Sequence, residues 1–325
     1  MTPSQPVWRV RSQVLQAIRR FFTDRDFLEV ETPVRIPAPA LEAHIDAVPS
    51  GAGFLRTSPE LHMKRLLAEG CERVFQMGPC FRRGEKGRFH NPEFTMLEWY
   101  RAREPYAAVM DDSLELLRLA AGTSGAKLFS FRGRTCDPCA DAERLTVADA
   151  FDRLAGIDLM ATLSDKGEGD REALAAQARR SGFEVADNDC WADIFSKLLI
   201  ARVEPRLGLE RPTLLFEYPR CEAALARATP HDPRLAERFE LYVCGVELAN
   251  GFGELTDPVE QRARFEAEMN EKERIYGERY PLDEDFLAAL AHMPEACGVA
   301  LGFDRLVMLA VGARNLDDVI WIPTP

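Results

Sequence analysis

The chain has 325 residues, 46% of them apolar, which is enough for one large domain with a buried core. No run approaches the roughly 20 apolar residues that cross a bilayer, and the N-terminal segment lacks the apolar stretch of a secretory signal, so we expect a cytoplasmic protein that does not enter the membrane. A net charge of −12 argues against stable nucleic-acid binding, which needs clustered Lys and Arg.

Apolar residues at helical spacing predict a helix over residues 7–24, which leads into a strand, Phe27–Thr32, that Pro33 ends. A serine, a proline and a glutamate then form the pattern that begins helices, and Gly70 is typical of a helix stop. These signals predict a second helix, Glu60–Glu69.

Two strands of alternating apolar residues follow, Arg73–Phe81 and Phe94–Tyr100, on either side of a charged loop over residues 82–92. This pattern predicts an antiparallel hairpin with a long loop, and a helix near Tyr106–Ala121 comes next.

The region from about 123 to 232 is predicted to be an insertion, largely helical, around the main sheet of a single domain that spans 1–325. Its predicted elements are helices Asp149–Leu154, Arg171–Arg180 and Ala192–Val203 and a strand at Thr213–Tyr218. The last part of the chain is predicted to contain strands Arg238–Val243 and Val246–Asn250, helices Val259–Tyr276 and Asp285–His292, and a strand–helix unit, Gly298–Leu309. Runs of strands with helices around them indicate an α+β fold with a mostly antiparallel sheet flanked by helices.

Eight cysteines, mostly isolated in apolar segments, are typical of reduced core residues. Cys136 and Cys139 have the spacing of half a zinc site or of a redox pair, but no second such pair or histidine-rich segment accompanies them. Their role stays open.

The hairpin combines Arg82, His90 and Phe94. An arginine and a histidine near a triphosphate neutralise charge that develops on phosphorus, and an aromatic ring offers a face to a purine. A solvated hairpin tip with scattered charges would also account for such residues. Glu93 and Glu98 favour nucleotide binding, because they alternate with apolar residues on a strand expected to be buried, where carboxylates need a cation.

The loop also carries a local cluster of positive charge, whose spacing suits a single polyphosphate better than a long duplex. The cluster consists of Arg82, Arg83, Lys86 and Arg88.

At this point the sequence resembles the class II lysyl-tRNA synthetases, and more closely the family of their short paralogues, which ligate (R)-β-lysine to elongation factor P. FLEVETP at Phe27–Pro33 is similar to their motif 1, Phe81–Arg101 to motif 2, and GVALGFDRLVML at Gly298–Leu309 to motif 3. The resemblance implies a class II synthetase-like catalytic domain, an ATP-dependent ligase and, through motif 1, a homodimer.

The resemblance implies an ATP site in which Arg82 and Arg305 stabilise charge on the α-phosphate during catalysis. Phe94 and Arg305 match the pair that sandwiches the adenine, and His90 matches a contact to the outer phosphates. Glu85 replaces, one position late, a glutamate of the synthetases, and Phe89 stands where they have an arginine.

Glu240 and Glu247 would lie on adjacent strands if the turn falls at Cys244-Gly245. Hard oxygen ligands so placed suit Mg²⁺ that bridges ATP phosphates, and the matching pair does this in the similar synthetases. Two exposed strand carboxylates would have the same spacing.

A lysine-like substrate needs a carboxylate for each ammonium group and a polar group that orients its own carboxylate. The resemblance assigns Glu60 to the amine near the carboxyl end and Asn250 to the carboxylate. It assigns Glu98, Tyr100 and Glu254 to the distal ammonium.

Two features point to a protein acceptor. Only 26 residues precede Phe27, where the synthetases carry an anticodon-binding domain, so we expect none here. Ala300 replaces a glycine of the synthetases, and its methyl would tune the choice of β- over α-lysine. We therefore expect transfer of (R)-β-lysine to a lysine side chain of elongation factor P. A truncated lysyl-tRNA synthetase and a non-catalytic regulator that senses lysine or ATP remain the alternatives.

Overall fold

The computed structural model of the protein describes residues 5–87 and 89–323. Within them the helices are α1 (Gln5–Thr23), α2 (Glu60–Ala68), α3 (Ala107–Ser124), α4 (Val147–Ala155), α5 (Arg171–Arg180), α6 (Trp191–Leu198), α7 (Pro258–Tyr276), α8 (Glu284–Leu290) and α9 (Phe303–Ala310). The strands are β1 (Leu28–Glu29), β2 (Arg35–Ile36), β3 (Val48–Ser50), β4 (Gly53–Leu55), β5 (Arg73–Phe81), β6 (Glu93–Ala102), β7 (Phe129–Phe131), β8 (Arg134–Cys136), β9 (Glu143–Thr146), β10 (Thr213–Pro219), β11 (Leu235–Val243), β12 (Val246–Gly253) and β13 (Ala296–Gly302). No helix in these ranges is long and apolar enough to cross a membrane.

The central sheet has the strand order β1-β5-β6-β13-β12-β11-β10-β9. Its pairs are antiparallel except at the two edges, where β1 runs parallel to β5 and β9 runs parallel to β10. The predicted α+β fold with a mostly antiparallel sheet is therefore confirmed, as is the antiparallel β5–β6 hairpin.

Period-two alternation divides the sheet into two faces. One face presents a row of apolar residues that pair across five strands, from Phe75 through Trp99, Val299 and Gly251 to Phe239. Helices α1, α3 and α9 cover this row and form the main core with it. The residues between these apolar positions point to the opposite face, which is where the polar site residues lie.

The strand predicted over Phe27–Thr32 is shorter than expected, because β1 contains only Leu28 and Glu29. Val30 N still donates to Phe75 O at 2.9 Å, but Thr32 N donates to the Gln76 side chain at 2.8 Å. The ladder therefore stops before Pro33, since the backbone donor has turned to a side-chain acceptor.

The middle segment has a core of its own, formed by α4, α5 and α6 together with residues of β10 and β11. Helix α5 has the predicted bounds, whereas the helix predicted over Ala192–Val203 ends at Leu198 and continues as a π-turn, Leu199–Val203. Strands β9 and β10 belong to this segment and also extend the central sheet. The segment is thus joined to the sheet by hydrogen bonds, and its description as an inserted unit stays a prediction.

Candidate active site

The strand register brings predicted site residues from distant parts of the chain into one row. Glu98 lies opposite Ala300, Ala300 opposite Asn250, and Asn250 opposite Glu240. Residues directly paired across strands point to the same face, so these four side chains form a line on the face away from the main core.

A second row, two residues further along each strand, contains Tyr100, Gly298, Phe252 and Arg238. A Cβ atom on Gly298 would lie 2.2 Å from Tyr100 Cε1, a distance that real Cβ contacts do not reach. The Tyr100 ring therefore occupies the space above the backbone of Gly298. Gly298 is not among the residues predicted for the site.

A cavity of about 290 Å³ opens above these rows. The predicted residues on its wall are Glu60, Arg82, Glu85, His90, Phe94, Glu240, Glu247, Asn250, Ala300 and Arg305. The other three predicted residues, Glu98, Tyr100 and Glu254, are buried beneath it. The structure thus places the whole predicted set in one region, while the role of each residue stays a prediction.

Arg82 directly follows β5, where its backbone N–H donates to Pro92 O at 2.9 Å and closes the hairpin loop. Its guanidinium carbon lies 5.2 Å from the Phe94 ring centroid, and its Nη1 lies 3.9 Å from Glu85 Oε1. Arg82 therefore lies beside the Phe94 ring, which the resemblance assigns to stacking on adenine. Arg82, Phe94 and Glu85 together can surround the phosphate and the base of a nucleotide.

Arg305, from the first turn of α9, is fixed by contacts to two segments. Its Nη1 donates to Glu247 O at 2.7 Å and its Nε donates to Phe89 O at 3.1 Å. Its Nη2 lies 2.9 Å from His90 Nε2. Burial, followed by the charge of Arg305, lowers the pKa of His90, so the neutral ring accepts this hydrogen bond.

Phe89, which contacts Arg305, packs against a residue that is not among the predicted site residues. Its ring centroid lies 5.0 Å from that of Phe131 in β7, so the middle segment holds in place the residue that stands where the resemblance expects an arginine. Its carbonyl thereby orients Arg305.

The predicted polyphosphate cluster is not one surface. Arg83 Nη2 lies 2.6 Å from Glu278 Oε2 and 3.5 Å from Asp46 Oδ2, so this arginine ties the loop to neighbouring segments, whereas Arg82 lines the cavity. Lys86 is exposed, and Arg88 lies outside the described residues. Glu93 is also exposed, so the expectation that it is a buried carboxylate was wrong, whereas Glu98 is 1% exposed.

Glu240 and Glu247 lie on the two strands of the β11–β12 hairpin, whose turn residues Cys244 and Gly245 have φ values of 55° and 72°. Positive φ at both positions is the geometry of a type I′ turn, so the predicted turn is confirmed. Glu247 pairs across the hairpin with Tyr242, the neighbour of Glu240 on that face. The two carboxylates therefore face the same part of the cavity.

Glu240 is 5% exposed, and both its oxygens have partners that the sequence analysis missed. Arg238 Nη2 donates to Oε1 at 2.6 Å, and Tyr242 Oη donates to Oε2 at 2.6 Å. Burial and then the charge of Glu240 raise the pKa of Glu247, as expected for two carboxylates without a cation between them. A signal was available in the sequence, because Arg238, Glu240 and Tyr242 alternate along β11.

Glu204 adds a third carboxylate. Glu204 Oε1 lies 3.3 Å from Tyr242 Oη, and burial followed by the charges of Glu240 and Glu247 raises the pKa of Glu204 to about 7. Across residues 5–87 and 89–323, no group of three or more His, Cys, Asp or Glu side chains is arranged to hold a metal ion. Such an ion would therefore need oxygen ligands from a bound nucleotide as well. Glu204 lies in a short 3₁₀ turn of the middle segment, where no sequence pattern marked it.

The buried cluster beneath the cavity contains a lysine that the sequence analysis also missed. Lys64 Nζ lies 2.5 Å from Glu60 Oε1 and 2.5 Å from Glu254 Oε2. Tyr100 Oη donates to Glu98 Oε1 at 2.6 Å. The i, i+4 spacing of Glu60 and Lys64 on α2 was the available signal.

The cluster has less positive than negative charge, because three buried carboxyl groups, those of Glu60, Glu98 and Glu254, share the ammonium of Lys64. Within the described part of the chain, Glu98 Oε2 and Asn250 Oδ1 are buried without a hydrogen-bond partner. Burial, and next the charge of Glu60, raises the pKa of Glu98 to about 8. Burial and the charge of Glu60 also raise the pKa of Glu254, to about 7, against the opposing effect of Lys64. Cationic groups entering the cavity would relieve both carboxylates.

Comparison with known proteins identifies the family of the chain. A family model described as tRNA synthetases class II (D, K and N) matches residues 2–325. A protein of Proteus mirabilis (strain HI4320), named elongation factor P–(R)-β-lysine ligase, is 42% identical over 96% of this chain and 93% of its own length. Proteins of the same name from Hamiltonella defensa (40% identical, 99% and 96%) and Vibrio cholerae (39%, 97% and 94%) are similar over nearly their whole lengths. The chain therefore belongs to the class II (D, K and N) tRNA synthetase family and, within it, to the elongation factor P–(R)-β-lysine ligases.

Proposed function

We propose that this ATP-dependent ligase activates (R)-β-lysine as an adenylate and transfers it to a lysine side chain of elongation factor P. The observation that carries the proposal is the buried excess of carboxylates beside a cavity lined by Arg82 and Arg305. A substrate with two ammonium groups would balance the carboxylates, and the arginines would face its activated end.

In the first step the substrate carboxylate attacks the α-phosphorus of ATP, and pyrophosphate leaves. An ionised carboxylate needs no general base, so positioning and charge stabilisation supply most of the rate. Arg82 would stabilise the α-phosphate, while Phe94 would stack on the adenine and Arg305, held by Glu247 and Phe89, would enclose its other side. Asn250 lines the cavity and would orient the substrate's carboxylate by donating from Nδ2, while its Oδ1 is buried without a partner among the described residues.

Glu240 and Glu247 fit a divalent cation, because they are hard oxygen donors and because burial, followed by the charge of Glu240, raises the pKa of Glu247. Mg²⁺ bound there, together with ATP phosphates, would neutralise charge on the leaving pyrophosphate. Arg238 and Tyr242 hold Glu240 in place for this role.

In the second step the neutral amine of the acceptor lysine attacks the carbonyl carbon of the mixed anhydride, the C–O bond to AMP breaks, and the amine releases a proton as the amide forms. Elongation factor P is the acceptor by the names that the relatives carry. A ligase that acts on a translation factor would work in the cytoplasm.

The motif 1 region supports a homodimer. Leu28 in the edge strand β1 is 57% exposed, and within the described residues β1 pairs only with β5. An exposed apolar side chain beside an open sheet edge is typical of a protein interface.

The test is incubation with ATP, labelled (R)-β-lysine or α-lysine, and either elongation factor P or total tRNA. We expect label on elongation factor P, and none on a matched factor whose acceptor lysine is replaced by arginine. Label on tRNA alone would favour the truncated synthetase. Failure of every lysine isomer to drive ATP–pyrophosphate exchange would favour the regulator.

A further inference from the structure

Lys64 bridges two structural elements at the floor of the cavity. It lies one turn after Glu60 on α2, its Nζ reaches Glu254 directly after β12, and its side chain is fully buried. Although burial opposes it, the charges of Glu254 and Glu60 raise the pKa of Lys64, so the ammonium stays charged. A permanent cation therefore lies between two carboxylates assigned to the substrate.

The charges of the cluster do not balance. Glu60, Glu98 and Glu254 supply three carboxyl groups and Lys64 supplies one ammonium, so two negative charges remain once Glu98 and Glu254, whose pKa values burial raises, give up their protons to a cationic ligand. A diamino acid carries two ammonium groups. The two ammonium groups of such a substrate would therefore balance the two uncompensated negative charges of the cluster.

We propose that Lys64 is a positioning and specificity-determining residue that orients Glu60 and Glu254 and favours their ionised forms, so that the pocket selects an amino acid with two ammonium groups. This inference rests on the proposed function and adds to it the residue that sets the charge of the amino-acid pocket. Lys64 acts through the two carboxylates and makes no contact of its own with the reacting atoms.

A purely structural role explains the arrangement less well. Removing a buried ion pair in favour of apolar groups is often neutral for stability, so stability alone gives little reason to bury three charges here. Without Lys64, Glu254 would lose its cation in a position that is 1% exposed and would take up a proton. A protonated Glu254 would no longer pair with the distal ammonium.

Titratable and charged groups from several elements lie near the cluster, and their charges also affect the pKa values of its carboxyl groups. They are Glu60 on α2, Glu98 and Tyr100 on β6, Glu254 after β12, Cys297 on β13, Arg227 before β11, and Glu42 in the loop before β3. Helix α8 packs on the outer side of α2, where its Asp285 pairs with Arg65 at 3.8 Å. Among these groups, Lys64 is thus the cation in direct contact with Glu60 and Glu254, the carboxylates assigned to bind the substrate.

The test is ATP–pyrophosphate exchange driven by (R)-β-lysine, measured from pH 6 to pH 9.5 in the wild-type protein and in Lys64→Met, which keeps the length of the side chain without its charge. We expect kcat/KM of Lys64→Met to fall about tenfold or more at pH 7 and to recover as the pH rises. The acid limb of the profile should move up by about one pH unit or more.

Lys272→Met is the matched control. Lys272 is equally buried, but its ammonium donates to Ala43 O and Ile45 O and pairs with Asp46 at 2.6 Å, away from the three carboxylates. Its loss should lower stability without moving the acid limb. Lys64→Arg keeps the charge and should keep the wild-type acid limb, even where crowding lowers kcat/KM.

A loss in Lys64→Met that is equal at every pH would overturn the proposal and leave the proposed function intact, because the wild-type protein would still exchange. Absence of exchange in the wild-type protein would overturn the proposed function and this inference with it. If Lys64→Met does not fold, Lys64→Arg decides, since an acid limb raised by a full unit despite the retained charge contradicts the role of Lys64.

Discussion

Ala300 lies directly opposite Glu98 in the β6–β13 register, and its other cross-strand neighbour is Asn250. Its methyl group therefore projects from the floor of the cavity between a carboxylate and an amide that are both assigned to the substrate. At this position one methyl group would influence which amine position of a lysine isomer fits.

The first prediction concerns Ala300→Gly, which restores the residue of the similar synthetases. We expect the ratio of kcat/KM for α-lysine to that for (R)-β-lysine to rise by about 10- to 100-fold, since one methyl group is worth roughly 1–3 kcal/mol of discrimination. Pyrophosphate exchange with each isomer measures the ratio. An unchanged ratio would remove Ala300 from the determinants of specificity.

Arg82 is predicted to be essential for activation and dispensable for folding. Arg82→Ala should lower adenylate formation by about 100- to 1000-fold, the usual loss for a group that stabilises transition-state charge. Its thermal midpoint should stay near the wild-type value. Arg83→Ala is the control, because Arg83 pairs with Glu278 and Asp46, and it should retain activity. Retained exchange in Arg82→Ala would refute its role.

Glu98 is predicted to make stability depend on pH. Burial raises its pKa from about 4.5 to about 8 in the folded chain, so between these values the folded state binds the proton more tightly than the unfolded state. The contribution of Glu98 to the free energy of unfolding is therefore present below pH 4.5 and is lost as the pH rises toward 8. Glu98→Gln should gain about 1–3 kcal/mol relative to wild type between pH 5.5 and pH 8.

Urea unfolding at the two pH values measures this difference. Glu93→Gln serves as the control, because Glu93 lies on the same strand but is exposed. If the free energy of unfolding changes with pH equally in the wild-type protein and in Glu98→Gln, the raised pKa of Glu98 is contradicted.

Gly298 is predicted to be required for the position of Tyr100. In Gly298→Ala the new Cβ would lie 2.2 Å from Tyr100 Cε1 and 2.8 Å from Glu254 Oε1, so the ring must move. We expect a loss of about 1–3 kcal/mol of stability and a raised KM for the lysine substrate. Gly122→Ala in α3 meets no atom within 4 Å and should be neutral or stabilising. Calorimetry and exchange kinetics would show the contrast, and a normal KM in Gly298→Ala would count against it.

Leu28→Asp tests the homodimer. A charge on this exposed residue of β1 should convert a dimer to a monomer in light scattering, because it places an unpaired carboxylate in the interface. Leu128→Asp is the matched control, since Leu128 is 53% exposed but lies before β7. A monomeric wild-type protein, or a dimer that survives Leu28→Asp, would disprove this interface.

Much of the fold follows from local patterns. Helices α1, α2, α5 and α7 and the β5–β6 and β11–β12 hairpins lie within a few residues of their predicted bounds, because amphipathic spacing, capping residues and turn residues act over short distances. β1 was predicted too long because its end depends on Gln76, a partner distant in the sequence. The contacts of Arg83 with Glu278 and the exposure of Glu93 could not be read from the loop sequence either.

The sequence by itself determined that an arginine, an aromatic ring and several carboxylates recur in an order similar to the class II synthetases, because residue identity and spacing suffice for such motifs. Only the tertiary structure decided which of these groups meet. The register that aligns Glu98, Ala300, Asn250 and Glu240 joins strands up to about 200 residues apart, and the charge balance at Lys64 depends on α2 and β12 coming together. Pairing energies in a buried site depend on distances between such elements, and no local pattern encodes those distances.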